Sequence, residues 1–331
     1  MKQRLLGSAG PSASAIALGC MGMSDIYGPA DRAESIATIH AAIDAGVNLI
    51  DTGDFYASGA NEMLVGEALR GGRRDKVLIS VKFGAMRDPS GAFTQYDARP
   101  AAVKNFLAYT LRRLGVDAID IYRPARLDPK VPIEETVGAI ADMVRAGYVR
   151  HIGLSEVGVD TIRRAVKIHP IVDLQIEYSL LSRGIEAAIL PACRELGVGI
   201  TAYGVLTRGL LSGRWSREQA LAAKDSRAHH PRFGGEHLAK NLALIDALKA
   251  VADERRMSAA QAAIAWVLSR GDDVIPLIGS RTRVQLAEAL ATLDFTLSAE
   301  DLARIEAAIP LGAASGERYP AAGMATLDSE R

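Results

Sequence analysis

The sequence predicts an α/β protein folded as a parallel (β/α)8 barrel, with an N-terminal hairpin cap and extra C-terminal helices. Short runs of β-branched and apolar residues alternate along the chain with amphipathic stretches of helical period. These runs are apolar enough to be buried on both sides, which is typical of parallel strands covered on both faces. A strand–helix unit repeated eight times in 331 residues favours a TIM barrel over separate domains, so we expect residues 1–331 to form one domain.

The strand pattern occurs in eight segments of the chain. They are Ala15–Leu18, Asn48–Asp51, Val77–Lys82, Ala118–Tyr122, His151–Leu154, Val172–Ile176, Gly199–Tyr203 and Val274–Ile278. An open doubly wound sheet is the competing architecture. It is disfavoured because no GxGxxG turn follows the first strand.

The stretches between these strands carry helix signals. Asp31 with Glu34, and Ser258 with Gln261, have the spacing of a capping box at a helix N-terminus. Several stretches end at glycine, which is the favoured residue after a helix. One apolar stripe of helical period runs through Ile36, Ile39, Ile43 and Val47.

Three segments fall outside the repeat. Lys2–Ala13 is predicted to be a small hairpin that turns at Ser8–Pro11 and plugs one end of the barrel. Leu206–His237, after the seventh strand, is a long insertion of the kind that forms lids. The tail from Gly312 is rich in Gly, Ala and Ser, and we expect it to lie on the surface.

Composition restricts the kind of partner. Lys and Arg number 39, as do Asp and Glu, so nothing indicates nucleic acid, a membrane surface or a polyanion as partner. Met1–Gly10 lacks the apolar core of a signal peptide, and no apolar run approaches the roughly 20 residues of a membrane span. Cys20 and Cys193 are expected to be free thiols in a cytoplasmic protein. The six His lack metal-ligand spacing, so we expect no metal. The oligomeric state is not predicted.

Three polar side chains follow the predicted strands where barrel enzymes carry their chemistry, at the C-terminal strand ends. Asp51, Tyr56 and Lys82 together could form a proton-transfer site. A Lys ammonium would lower the pKa of Tyr56 from its ordinary value near ~10, and a carboxylate would hold that Lys. Alternatively, Asp51 is a helix cap, or Lys82 is the Schiff-base lysine of an aldolase.

Four motifs resemble those of the aldo-keto reductase family, and the resemblance covers nearly the whole chain. It implies hydride transfer between NADPH and a small aldehyde or ketone, or the reverse oxidation of an alcohol. Tyr56 would be the general acid, Lys82 would tune its pKa, and Asp51 would anchor Lys82. The motifs are Asp51–Tyr56 followed by Asn61-Glu62, Ile79–Lys82, Gly147–Ser155 and Ile275–Ser280.

One position departs from the family pattern. The fourth strand ends in Tyr122-Arg-Pro-Ala-Arg-Leu-Asp128, so Ala125 stands where the family has a His that binds the substrate oxygen. Loss of such a donor costs on the order of 10²–10³ in rate. Arg123 is one candidate to replace it. The departure also motivates a second hypothesis, an NADPH-binding regulatory or sensor subunit with vestigial turnover.

The resemblance further implies an NADPH/NADP+ site. Ser155, Glu156 and Gln175 match positions that bond the nicotinamide carboxamide, with Glu156 replacing the commoner Asn, and Tyr203 matches the ring stacked on the nicotinamide. Ser280 and Arg281 are expected to bind the 2′-phosphate. The other matched positions are Gly19, Met21 and Gly22 near the ribose, Gly204, Leu206, Arg208 and Gly209 at the pyrophosphate, Gly279 beside the 2′-phosphate, and Gln285 and Glu288 near adenine.

Overall fold

The computed structural model describes residues 1–24, 26–216, 221 and 225–331. Eight parallel strands close into a barrel in the order β3-β4-β5-β8-β9-β10-β11-β12, which returns to β3. The strands are β1 (Gln3–Leu5), β2 (Ser12–Ser14), β3 (Ala17–Gly19), β4 (Leu49–Gly53), β5 (Leu78–Phe83), β6 (Ala85–Arg87), β7 (Phe93–Tyr96), β8 (Ile119–Pro124), β9 (Val149–Ser155), β10 (Ile171–Glu177), β11 (Gly199–Tyr203) and β12 (Val274–Gly279). The predicted TIM barrel is therefore confirmed, and its strand bounds differ from the predicted ones by at most two residues.

Helices surround the barrel and extend past the last strand. They are α1 (Arg32–Asp44), α2 (Ala60–Ala68), α3 (Pro100–Leu114), α4 (Ile133–Arg145), α5 (Val159–Val166), α6 (Ile189–Glu195), α7 (Gly235–Glu254), α8 (Ala259–Leu268), α9 (Arg283–Leu290), α10 (Ala299–Ala308) and α11 (Ala321–Met324). The Asp31 carboxylate accepts a hydrogen bond from the Glu34 amide at 2.7 Å, and Ser258 with Gln261 forms a full capping box. The predicted caps and extra C-terminal helices are present.

The N-terminal hairpin closes the barrel end opposite the strand C-termini. β1 pairs antiparallel with β2, and the Leu6 amide bonds to the Pro11 carbonyl at 3.1 Å, so the turn lies where it was predicted. The Arg4 guanidinium donates to the Leu268 carbonyl at 2.9 Å, and Leu6 packs among apolar barrel residues. Gly7 has φ +64°, and a Cβ there would meet the Gly197 carbonyl oxygen at 2.5 Å, so only glycine fits this close approach.

A second hairpin, formed by β6 and β7, follows β5 and was not predicted. Its strands are short, and most of their residues are exposed. The Asp88 carboxylate holds the turn by accepting hydrogen bonds from the Ser90 and Ala92 amides at 2.8 and 3.0 Å. Exposed strands have no need for apolar alternation, so the periodicity that revealed the barrel strands is missing here.

Two segments outside the repeat pack on the open face of the barrel. The predicted insertion Leu206–His237 contains 3₁₀ turns at Thr207–Ser212, Ser226–His229 and Pro231–Phe233, while residues 217–220 and 222–224 lie outside the described residues. α7 already begins at Gly235. The tail from Gly312 is mostly exposed or partly exposed, as expected, but Arg318 and Leu327 are buried at 6% and 1% exposure.

Neither a membrane span nor a metal cluster is found within the described ranges. No helix there combines the length and apolar character that a bilayer crossing requires. No three His, Cys, Asp or Glu side chains in those ranges converge as metal ligands. Cys20 and Cys193 are both buried free thiols.

Candidate active site

The three predicted catalytic residues come together at the C-terminal end of the barrel. β4 and β5 are neighbours in register, which places Gly53 beside Lys82. The buried Lys82 ammonium forms an ion pair with Asp51 and donates a hydrogen bond to the Thr52 carbonyl at 3.0 Å. The same ammonium lies 5.1 Å from the centre of the Tyr56 ring. The pairing of β4 with β5 therefore brings the trio together.

A tight turn after β4 positions Tyr56. Ala57 and Ser58 adopt left-handed conformations with φ of 45° and 51°, and Gly59 follows with φ 94°. Each non-glycine residue in this region costs roughly 1–2 kcal/mol of backbone free energy. The turn brings the Tyr56 ring over β4, since a Cβ at Gly53 would lie 3.4 Å from ring atom Cε1. The strained backbone of this turn therefore lies directly beside the proposed proton donor.

The expectation that the pKa of Tyr56 lies below its ordinary value is wrong, although the Lys82 ammonium lies near its ring. Burial raises the pKa of Tyr56 well above its ordinary value, the Asp51 charge adds to the rise, and Arg126 is a positive group that opposes it. Burial also lowers the pKa of Lys82, against the opposing charge of Asp51. A phenol with a raised pKa stays protonated, and protonated is the form that a general acid needs before it acts.

Asp51 is the centre of a buried hydrogen-bond network. Its Oδ2 accepts from the Ser80 hydroxyl and from Gln175 Nε2, both at 2.8 Å. Gln175, predicted to bind the nicotinamide carboxamide, therefore also holds the carboxylate that anchors Lys82. Because several donors satisfy Asp51, the Lys82–Asp51 pair has a fixed geometry.

Arg123 does not face the open end of the barrel, so the suggestion that it supplies the hydrogen-bond donor expected at position 125 is wrong. Its side chain is fully buried inside the barrel. The guanidinium forms an ion pair with Asp173 at 2.9 Å and donates to the Ser80 hydroxyl at 3.0 Å. Gly153 leaves room for this pair, since a Cβ there would lie 2.6 Å from an Asp173 carboxylate oxygen.

Arg126 is the arginine of this strand end that extends toward Ser155 and the C-terminal tail, and sequence analysis missed it. Ala125 is buried, and its amide bonds to the Phe83 carbonyl at 2.8 Å. Arg126 donates to the Tyr319 hydroxyl at 3.4 Å, and its guanidinium lies 5.9 Å from the centre of that ring. Its position just after β8, a strand that ends at the pocket, was the signal that could have identified it.

The C-terminal tail supplies further groups that sequence analysis missed. Arg318 forms a bidentate pair with Glu156, with N···O distances of 2.8 and 2.7 Å. The Tyr203 hydroxyl donates to Glu156 at 2.7 Å and lies 2.8 Å from the Tyr319 hydroxyl. Burial raises the pKa of Glu156, but hydrogen bonds and charge from Arg318 outweigh burial and lower the pKa to about 2. Glu156 is therefore an anion neutralised by the tail.

The sixteen predicted cofactor residues occupy one continuous arc of the barrel's open face. β9, β10, β11, β12 and β3 are consecutive neighbours, and every predicted position lies at the end of one of these strands or in the segment after it. The set is Gly19, Met21, Gly22, Ser155, Glu156, Gln175, Tyr203, Gly204, Leu206, Arg208, Gly209, Gly279, Ser280, Arg281, Gln285 and Glu288. The arc adjoins the Asp51–Lys82 pair on β4 and β5.

The start of α9 offers groups suited to an anion. The Ser280 hydroxyl is buried and has no hydrogen-bond partner among the described residues. Arg281 donates to the Tyr27 carbonyl at 3.1 Å and lies against Gly22, where a Cβ would be 3.3 Å from its side chain. An orphaned buried hydroxyl beside a cation fits a phosphate ligand. Glu288, which was predicted to lie near adenine, already accepts a hydrogen bond from Arg214 at 2.8 Å.

Sequence comparison defines the class of this barrel protein as a family of oxidoreductases. Residues 15–310 match the sequence model of the Aldo/keto reductase family, so the chain belongs to that family. Members of this family act on small carbonyl substrates and typically use NAD(P)H. The chain is 41% identical over 317 residues to "Probable aldo-keto reductase 1" of Glycine max, a match that spans 95% of this chain and 90% of the relative.

Two solved structures share the fold. The glycerol dehydrogenase AKR11B4 from Gluconobacter oxydans superimposes with a TM-score of 0.82 at 29% identity, over 92% of this chain and 94% of the other. The aldo-keto reductase AKR11C1 from Bacillus halodurans, solved in its holo form, gives a TM-score of 0.77 at 26% identity, over 93% and 96% of the two chains.

Proposed function

We propose that the protein is an NADPH-dependent oxidoreductase that reduces the carbonyl of a small aldehyde or ketone, or oxidises the corresponding alcohol. The observation that carries this proposal is the buried Lys82–Asp51 pair beside the Tyr56 ring, next to the arc of predicted cofactor residues. A single domain over residues 1–331 and a cytoplasmic location complete the proposal.

Tyr56, Lys82 and Asp51 each have a different role in the proposed proton transfer. Tyr56 holds a proton on its hydroxyl and delivers it to the substrate oxygen as hydride arrives at the carbonyl carbon. The Lys82 ammonium, 5.1 Å from the ring centre, stabilises the phenolate that remains. Asp51, fixed by Ser80 and Gln175, keeps the ammonium in place.

NADPH, when bound, supplies the hydride. Ser155, Gln175 and Tyr203 would hold its nicotinamide end, Leu206–Gly209 its pyrophosphate, and Ser280 with Arg281 its 2′-phosphate. The unpartnered Ser280 hydroxyl and the adjacent Arg281 are the observations that fit this group. A panel of aldehydes, ketones, pyridoxal and sugars, followed by NADPH absorbance, tests the proposal, and lack of turnover of every member would contradict it.

The alternatives receive less support from the site. A Schiff-base aldolase needs a free amine at Lys82, yet its Nζ is engaged by Asp51 and by the Thr52 carbonyl. Borohydride would trap a substrate–Lys82 adduct in an aldolase and should trap none here. A regulatory subunit with vestigial turnover rests on Ala125, and it would bind NADPH while failing to reduce the panel.

We expect Arg281→Ala to remove most of a preference for NADPH over NADH. A charge-assisted hydrogen bond to phosphate contributes about 1.5–3 kcal/mol, which corresponds to roughly tenfold to hundredfold tighter binding. Fluorescence quenching with both cofactors measures the preference, and added salt should weaken it. Arg194→Ala is the matched control, because Arg194 is paired with Asp273 just before β12, at the opposite end of that strand from Ser280. Equal affinities of wild type for the two cofactors would contradict the assignment.

A further inference from the structure

Arg126 is a cation without a counter-ion in the described residues. The four arginines that are buried there, Arg4, Arg123, Arg232 and Arg318, each lie within 3.6 Å of a carboxylate oxygen. Arg126 is partly buried, and no carboxylate of the described ranges pairs with it. Its Nε is buried and has no hydrogen-bond partner within the same ranges.

The partners that Arg126 does have are neutral. It donates to the Ala125 carbonyl at 2.6 Å, approaches the Ser155 hydroxyl at 3.5 Å and donates to the Tyr319 hydroxyl at 3.4 Å. Glu156 acts on Arg126 electrostatically, but both of its carboxylate oxygens are already bonded to Arg318. A guanidinium removed from water and not neutralised costs free energy, and an incoming anion would recover that cost.

Arg126 also lies beside the proposed chemistry. Its charge acts on both Tyr56 and Lys82. It approaches Ser155, one of the residues proposed to hold the nicotinamide end of the cofactor. An anionic group bound to Arg126 would therefore be part of the substrate rather than of the cofactor phosphates, whose proposed site is at Ser280 and Arg281.

We propose that Arg126 binds the carboxylate of an acidic carbonyl substrate, an oxo acid or a formyl acid, whose carbonyl lies at Tyr56. This inference rests on the proposed reductase function and specifies its substrate class. In the step, the carbonyl carbon gains hydride while NADPH is oxidised to NADP+. The carbonyl π electrons move to oxygen, which takes the Tyr56 proton, and Tyr56 regains a proton from water. The carboxylate is unchanged and serves only to position the substrate.

The test compares substrates of nearly the same shape, one of which carries a carboxylate and the other a neutral amide. Rates are measured with 4-formylbenzoate against 4-formylbenzamide, and with pyruvate against pyruvamide. Wild type should prefer each acid in kcat/KM by about 10- to 100-fold, because a charge-assisted bidentate contact is lost in the amide. Arg126→Gln should abolish this preference, because it should lower the kcat/KM of the acids by about 10- to 100-fold more than that of the amides.

Two further variants control the comparison. Arg126→Lys keeps the charge without the bidentate geometry and should retain part of the preference for the acids. Arg163→Gln removes a partly exposed arginine paired with Glu195 and should leave the preference unchanged. Equal rates of wild type on acid and amide would overturn the proposal. So would an equal fall of both in Arg126→Gln, which would make Arg126 a donor to the reacting oxygen instead.

A failure of the proposed reductase function can be distinguished from a failure of the carboxylate-binding proposal. If no carbonyl compound is turned over, the proposed function is wrong, but calorimetric binding of 4-formylbenzoate and 4-formylbenzamide to the NADP+-containing protein still tests Arg126. Tighter binding of the acid, lost in Arg126→Gln, would support the carboxylate site. Equal binding of the two would overturn it.

Discussion

Tyr56→Phe should lower kcat for carbonyl reduction by about 100-fold or more, since a positioned general acid contributes roughly 10²–10⁴ in rate. The substitution removes only the hydroxyl, so the ring beside the Lys82 ammonium is kept. NADPH affinity, measured by fluorescence quenching, should therefore change little. The rate is followed by NADPH absorbance at saturating cofactor.

Tyr148→Phe is the matched control, because Tyr148 is 49% exposed and lies outside the site. It should keep the wild-type rate. If Tyr56→Phe retained more than a few per cent of that rate, where general-acid loss predicts about 1% or less, another group would have to supply the proton.

Arg123→Met should lower the free energy of unfolding by about 3–5 kcal/mol, because removing one partner of a buried ion pair leaves an uncompensated charge. The carboxylate left behind is Asp173, which is fully buried. Its remaining side-chain hydrogen bond comes from Thr201. Urea unfolding followed by circular dichroism measures the change.

The double variant Arg123→Met/Asp173→Leu should recover much of this loss, because it removes the stranded charge as well. A full loss of activity with unchanged unfolding free energy in Arg123→Met would contradict a structural role. Such a result would return Arg123 to the substrate pocket, where the sequence-based hypothesis had placed it.

The barrel was predictable because its signal is local and repeated. Each strand is a short apolar run, and each following helix has its own period and, in α1 and α8, a cap that is present in the structure. Loop elements were less predictable. The β6–β7 hairpin is mostly exposed, so packing imposes no apolar alternation on Phe93–Tyr96.

The candidate site also contains residues that the sequence could identify and residues that it could not. Asp51 and Lys82 could be identified from sequence because the C-terminal ends of parallel barrel strands meet on one face. Arg123 and Arg126, three residues apart, could not be assigned from their order. Arg123 lies inside the barrel and pairs with Asp173, whereas Arg126, just after β8, extends toward Tyr319. Side-chain direction at a strand end depends on where the strand stops pairing, and predicted ends carry an uncertainty of a few residues.

The sequence by itself determined the barrel, which follows from local periodicity, and it predicted the candidate proton-transfer trio from strand order together with the family resemblance. Only the tertiary structure decided that the tail belongs to the site. Glu156 and Arg318 are 162 positions apart, and Arg126 and Tyr319 are 193 apart. Such pairs form when folding removes both groups from water together, since burial and partner geometry set the free energy of a charged contact. A tail rich in Gly, Ala and Ser has no periodic pattern from which these two contacts could be predicted.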